Sequence, residues 1–198
     1  YLTLENENYK HPPIPKGVNK DIIKGLYKVR GTSKPVVRVL GSGPLMGEAL
    51  KAAKLLKEDW GIDPGVWNVT SFSELRRDAE EKERWNLMHP EEQQKKSHLE
   101  TCLSKNSVPT VAVSDYVKMV SEQIGPYVPG PYYALGTDGF GRSETRDALR
   151  RFFEVDRYYI VLTAIRALAN ENKIDIGAVE KVMDKYNLDP EKPNPINV

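Results

Sequence analysis

The stretch Val36 to Trp60, VVRVLGSGPLMGEALKAAKLLKEDW, decides the fold class. Val36 to Leu40 is a short apolar run of strand type, and Gly41-Ser42-Gly43 follows as a tight turn. Leu45, Ala49, Ala53, Leu56 and Trp60 then recur at spacings of three to four, the period of one helix face. Strand, glycine turn and helix open a βαβ unit. The dinucleotide fingerprint G-x-G-x-x-G is a poor match, because Gly47 falls one position late and the next strand leads into Thr70 and Ser71 instead of an acidic residue. A turn between a strand and its helix needs glycines for geometry alone, so a structural role is expected here.

Outward from this unit, Gly25 to Arg30 is a strand candidate, and a hairpin-like pairing with Val36 to Leu40 is expected across the turn Gly31 to Pro35. Val66 to Val69 is the third strand, and Ser71-Phe72-Ser73-Glu74 is a capping box that starts a helix. Trp85, Leu87 and Met88 are expected as apolar anchors, and Pro90 with Glu91 and Glu92 suits the first turn of a new helix. Pro109 to Val113 is the fourth strand. Ser114 or Asp115 is expected to cap a helix with Val117, Val120 and Ile124 inward, before the fifth strand, Tyr132 to Gly136. Of two closing helices, one capped by Asp156 should bury Tyr158, Val161, Leu162, Ile165 and Leu168. The other, capped by Asp175, should bury Val179, Val182, Met183 and Tyr186. Five short strands, most followed by a helix, predict a three-layer αβα domain of the α/β class with a mainly parallel five-stranded sheet and an antiparallel first strand.

Gly136 to Asp156, GTDGFGRSETRDALRRFFEVD, concentrates polar groups where a glycine-rich loop meets a helix. Ser143 is expected to cap that helix, with Glu144 in its first turn. Leu149, Phe152 and Phe153 share one face, and Arg142, Arg146 and Arg150 form a second, outward stripe. Two readings stand: an anion held at the helix start, or a capped helix whose arginines pair with Glu144, Asp147 and Glu154.

Twenty-nine basic against twenty-eight acidic residues leave a net charge of +1, so nothing steers the chain globally toward nucleic acid or an anionic membrane. No apolar run approaches a membrane span. Cys102 is the single cysteine, which favours a reducing, cytoplasmic setting. His98 and Cys102 stand four residues apart, but with no CxxC or HExxH beside them a half-buried thiol and ordinary histidines are expected instead of a metal site. Asn6 to Lys16 reads as a proline-rich linker after a short strand at Tyr1 to Leu4.

Two blocks carry a resemblance. GTDGFGRS followed by E-x-R-x-x-L-R-x-x-F-E-V-D, and TSFSELRRDAEEKERWNLMHP from Thr70 to Pro90, closely resemble the C-terminal region of the homodimeric bacterial pyruvate dehydrogenases, thiamine-diphosphate enzymes whose C-terminal domain is of transketolase type. The N-E-N-Y-x-x-P segment of residues 6–12 resembles the end of the preceding pyrimidine-binding domain in that family. The resemblance implies that residues 1–17 end that domain and its linker, and that 18–198 form the C-terminal domain. It also implies a parent enzyme that oxidatively decarboxylates pyruvate and passes the acetyl group to a lipoyl group on the dihydrolipoyl acetyltransferase core. The thiamine diphosphate and Mg of that enzyme belong to its preceding domains. No G-D-G followed by N-N occurs in this chain, so no catalytic, cofactor-binding or metal residue carries over. Thr137, Asp138, Phe140, Arg142, Ser143 and Arg146 are expected instead at an interface with the preceding domain or the second subunit of a homodimer. A free-standing nucleotide or metabolite binder and a partner-docking module are the competing readings. A reading frame continuing far upstream of Tyr1 would discriminate against both.

Overall fold

A computed structural model describes residues 8–9, 12–103 and 106–198; the strand expected at Tyr1 to Leu4 lies outside them. Five apolar runs form strands: β1 (Leu26–Arg30), β2 (Arg38–Ser42), β3 (Gly65–Val69), β4 (Thr110–Val113) and β5 (Tyr132–Leu135). They make one sheet in the order β1-β3-β2-β4-β5, with β2 to β5 parallel and β1 antiparallel to β3. The expected hairpin does not form, because β3 lies between β1 and β2. β2 is buried on both sides, as a central strand flanked by parallel neighbours must be, whereas β1 becomes exposed toward Arg30 and takes an edge.

Eight helices occur among the described residues: α1 (Asn19–Ile23), α2 (Met46–Trp60), α3 (Phe72–Met88), α4 (His98–Leu103), α5 (Lys118–Glu122), α6 (Arg146–Phe152), α7 (Arg157–Asn170) and α8 (Gly177–Tyr186). The pleat divides them. Val39, Val66, Val111 and Val113 face α2, α7 and α8, while Leu40, Trp67 and Ala112 face α3, α4 and Ile124. The result is the expected αβα sandwich. Gly41 belongs to β2, which runs two residues further than its apolar pattern. A Cβ there would lie 2.8 Å from the Ala49 Cβ and 2.9 Å from the Met46 Sδ, so the missing side chain lets α2 pack onto the strand.

Several local expectations are corrected. Ser71 caps α3 by accepting from the Glu74 N–H at 3.1 Å, but Glu74 turns to Arg77 and leaves the box half made. The buried stripe of α3 stops at Phe72, Leu75 and Ala79, so the helix leaves the core before its last turns, and Leu87 and Met88 are exposed. Trp85 stacks on His89 instead, with ring centroids 4.3 Å apart. No helix begins at Pro90, because the Asn86 side chain closes a loop on Lys95 through two hydrogen bonds of 2.8 and 2.9 Å. The helix starts eight residues later, at a full capping box: Ser97 accepts from the Glu100 N–H, and Glu100 accepts from the Ser97 N–H. Neither Ser114 nor Asp115 caps α5; Ser114 accepts from the Tyr116 N–H, and Val117 is exposed. Asp156 does cap α7, through the N–H groups of Tyr158 and Tyr159. The buried face of α7 is shifted to Tyr159, Ile160, Val161, Ala164, Ile165 and Leu168, because Tyr158 tilts onto Tyr186 of α8. On α8 only Val182 is fully buried, while Val179, Met183 and Tyr186 pack at the core margin.

His98 donates from Nε2 to the Leu26 carbonyl at 2.8 Å, and the Cys102 Sγ lies 3.6 Å from that nitrogen. Burial, with the Asp21 charge adding and Lys24 opposing, pushes the half-buried Cys102 thiol up to about 11. Iodoacetamide at pH 8 should therefore alkylate Cys102 on the order of a hundredfold more slowly than free cysteine. A rate within about threefold of free cysteine would contradict the placement.

Candidate functional site at the carboxyl edge of the sheet

The polypeptide leaves β2 toward α2 on one face, returns through β3, and leaves β4 toward α5 on the other face. Adjacent loops that diverge in this way open a crevice at the carboxyl ends of β2 and β4. The loop after β5 closes one side of it, and a cavity of about 280 Å³ results.

Thr137 and Asp138 tie this loop to the turn after β4. Thr137 donates to the Asp115 carbonyl at 2.7 Å, and the Asp138 carboxylate accepts from the Lys118 N–H at 2.9 Å, capping α5 from a distant segment. Gly139 has φ +110°, and a Cβ there would lie 2.5 Å from the Pro195 carbonyl oxygen, so the C-terminal segment can cross closely. Phe140 is 81% exposed. Tyr116, Val117, Met119 and Ile196, on the segments these contacts join, are exposed as well.

Ser143 does not cap α6. The helix begins only after Thr145, whose hydroxyl accepts from the Ala148 N–H at 3.4 Å, and Glu144 precedes the helix and accepts from the Thr145 N–H. Nor do the three arginines form one solvated stripe. The Arg142 guanidinium sits 4.2 Å over the Phe152 ring. Arg150 is largely buried, pairing with Glu48 at 3.5 Å and donating to the Tyr9 hydroxyl at 3.1 Å. Thr137, Arg142 and Arg146 meet at the cavity wall; Asp138, Phe140 and Ser143 lie outside it.

Behind Arg150 lies a group that the motif reading passed over. Glu48, in the first turn of α2, is 1% exposed and accepts from Arg157 Nε at 2.8 Å, Arg157 Nη2 at 3.1 Å and the Arg157 backbone N–H at 3.1 Å. Lys51 adds a contact of 3.2 Å. Burial raises the Glu48 carboxyl pKa, but the bonds and charge of Arg157, then of Lys51, outweigh it and hold the group below the ordinary range. A signal was present: Glu48 lies at i+3 from Leu45 and i−4 from Ala52, on the core face of its helix.

Family comparison matches residues 25–156 to the transketolase-like TK C-terminal domain. The chain belongs to this family. Within it, the chain is 50% identical over 202 residues to the pyruvate dehydrogenase E1 component of Cupriavidus necator, covering 100% of this chain and 23% of that protein. It is 48% identical over 201 residues to the E1 component of Pseudomonas aeruginosa, with the same coverage. The chain thus spans less than a quarter of the relatives it matches. Among solved structures, transketolase from Leishmania mexicana superposes with a TM-score of 0.54 at 20% identity, over 78% of this chain and 20% of that one. This likeness shows a shared fold. No helix among the described residues is long and apolar enough to cross a membrane.

Proposed function

We propose that the chain is the C-terminal domain of a homodimeric pyruvate dehydrogenase E1 component and that it serves interdomain and dimer packing. Identity of 50% and 48% to two pyruvate dehydrogenase E1 components over the full chain supports the assignment to that component. The whole enzyme would oxidatively decarboxylate pyruvate in the cytoplasm and hand the acetyl group to the dihydrolipoyl acetyltransferase of its complex. Thiamine diphosphate would supply the carbanion stabilisation for that reaction. The residues here do not fit it: no group of three or more His, Cys, Asp or Glu placed for a metal ion occurs among the described residues, and Met46 and Ala49 fill the space over Gly41. We therefore assign the cofactor and its Mg to other domains. Residues 1–17 we assign to the end of the preceding domain and its linker, with Tyr9 seated against Arg150 of α6.

The observation that carries the packing role is that Tyr116, Met119 and Phe140 are exposed on the two loops after β4 and β5 that Thr137 and Asp138 tie together. Isolated surface apolar residues are ordinary, but several on two joined loops at the carboxyl edge of the sheet fit an interface. In the complete enzyme, Arg142→Ala should raise the dimer dissociation constant about tenfold or more, with turnover per assembled dimer unchanged. Sedimentation and activity measured on one sample test this. An intact dimer with strongly reduced turnover would make Arg142 a participant in substrate handling and end the packing reading.

A further inference from the structure

The segment from Lys192 to Val198 crosses the loop after β5 and is held at two points. At the first, Pro195 is buried, and a Cβ on Gly139 would lie 2.5 Å from its carbonyl oxygen and 3.4 Å from the Ile196 Cα. Gly139, at φ +110°, has a backbone conformation that other residues rarely adopt, so the loop is shaped to let this segment pass. The Asn194 side chain turns the crossing segment by accepting from the Ile196 N–H at 3.1 Å. The second point is Lys192, whose ammonium donates to the Phe152 carbonyl at 2.7 Å and pairs with Glu154 at 2.9 Å. α6 closes there: the Glu154 N–H returns to the Arg151 carbonyl and the Val155 N–H to the Arg150 carbonyl, with Glu154 at φ +61°. Glycine is the usual residue at that position, because it carries no left-handed strain. A glutamate forgoes that ease and places a carboxylate within reach of Lys192. The Lys192 ammonium also lies 5.3 Å from the Phe152 ring, which Arg142 of the loop covers at 4.2 Å. Phe152 thus joins the segment to the loop by a route separate from Gly139.

We propose that residues 192–198 are a strap that fixes the loop after β5, with Lys192 and Glu154 as its catch. The loop's own ties, from Thr137 to Asp115 and Tyr116 and from Asp138 to Lys118, lie before Gly139, and α6 begins at Arg146. The strap supports the stretch between them. Docked, it sets where Phe140 and Arg142 stand; released, it frees them and loosens the ties at Thr137 and Asp138. The strap is argued from contacts within this chain alone. Its consequence for assembly rests on the packing reading of the same loop.

The test is hydrogen exchange in the complete enzyme, with sedimentation run on each sample. Two amides report on the loop: Thr137 N–H, which donates to the Tyr116 carbonyl, and Lys118 N–H, which donates to Asp138. Lys192→Met removes the catch and keeps most of the stem, and should speed exchange at both amides about fivefold or more, with β2 and β4 unchanged. Lys192→Arg keeps a cation of similar reach and should stay within about twofold of the parent. Glu154→Gly is the sharper variant. It relieves the left-handed strain yet should still speed both amides about threefold, whereas a merely local role in closing α6 predicts a loop as protected as before. Gly139→Ala should disturb the loop less in the Lys192→Met background than in the parent, since the colliding segment is then released. Loop exchange unchanged in Lys192→Met, or an equal effect of Gly139→Ala in both backgrounds, overturns the strap. Faster loop exchange with an unchanged dimer dissociation constant supports the strap and counts against the packing role. A protected loop with a weakened dimer does the reverse.

Discussion

Replacing Glu48 by Ala should destabilise the chain by about 3 to 5 kcal/mol, the range for removing one partner from a buried ion pair. Glu48 bridges the N-termini of α2 and α7 and is the shared anion for Arg157, Arg150 and Lys51. Without it, Arg157 loses its counter-charge and Arg150 keeps only the exposed Asp147, 4.0 Å away. The loss should fall toward the lower end, because Arg157 is 26% exposed and can turn partly to water. Urea unfolding monitored by tryptophan fluorescence should show the midpoint dropping by about 1 M or more. Glu48→Gln keeps the shape and part of the hydrogen bonding, and should lie between the two. A Gln variant as stable as the parent would show that charge adds nothing to the bridge. The pH dependence has a defined sign. In the unfolded chain Glu48 titrates near an ordinary glutamate, about 4.3, and in the fold it titrates lower. Its stabilisation is therefore complete above about pH 5 and is lost as pH falls through the depressed value. Asp156 acts in the opposite direction: burial, only partly offset by the Tyr159 and Tyr158 N–H groups and Arg151, raises its pKa, so protonating it favours the folded state. The Glu48→Ala variant should accordingly lose less stability on acidification than the parent.

The second large effect is expected at Arg38, the first residue of β2, which is 2% exposed and has only neutral acceptors among the described residues. Its guanidinium donates to the carbonyls of Val108, Pro129, Leu103 and Asn106 and to the Thr110 hydroxyl. Burial lowers its pKa, yet an arginine stays charged under any ordinary condition. One side chain thus gathers the loop before β4 and the turn before β5 onto β2. Arg38→Met relieves the burial of a charge but strands these acceptors, at about 1 to 3 kcal/mol for each one that water cannot reach. The stranded carbonyls should win, with a net loss of about 3 kcal/mol. Arg38→Lys should recover little, because three donors on one nitrogen cannot span five acceptors. Denaturation midpoints together with hydrogen exchange at Leu103 and Val108 measure both effects. A Met variant equal to or more stable than the parent would mean that desolvation of the guanidinium outweighs its bonds, as happens at some buried ion pairs.

Much of the architecture was legible because it depends on short-range pattern. The helix face Leu45, Ala49, Ala53, Leu56, the five apolar runs and the Asp156 cap each reflect residues within a few positions of one another, and local periodicity reports such packing directly. The αβα class follows from the alternation of these elements. Strand order did not follow, because whether β1 meets β2 or β3 depends on which pairing buries more of a central strand, a comparison that no single window contains. Local rules also failed where a distant group took over their task. Pro90, Glu91 and Glu92 look like a helix start, yet the Asn86 side chain closes a loop across them; α5 lacks its own cap because Asp138 supplies an acceptor from another loop.

The candidate site divides in the same way. The sequence by itself placed Thr137, Arg142 and Arg146 at the mouth of a glycine-rich loop after a strand, because glycine spacing and helix period are local properties. Only the tertiary structure decided that Arg150 turns inward to a buried Glu48 more than a hundred residues earlier, that Arg38 holds the opposite end of the sheet, and that the loops after β2, β4 and β5 leave a cavity between them. The physical reason is that a buried charge is tolerable only where a partner of opposite charge or a set of acceptors meets it. That meeting is a property of chain topology, to which residue type and spacing are blind.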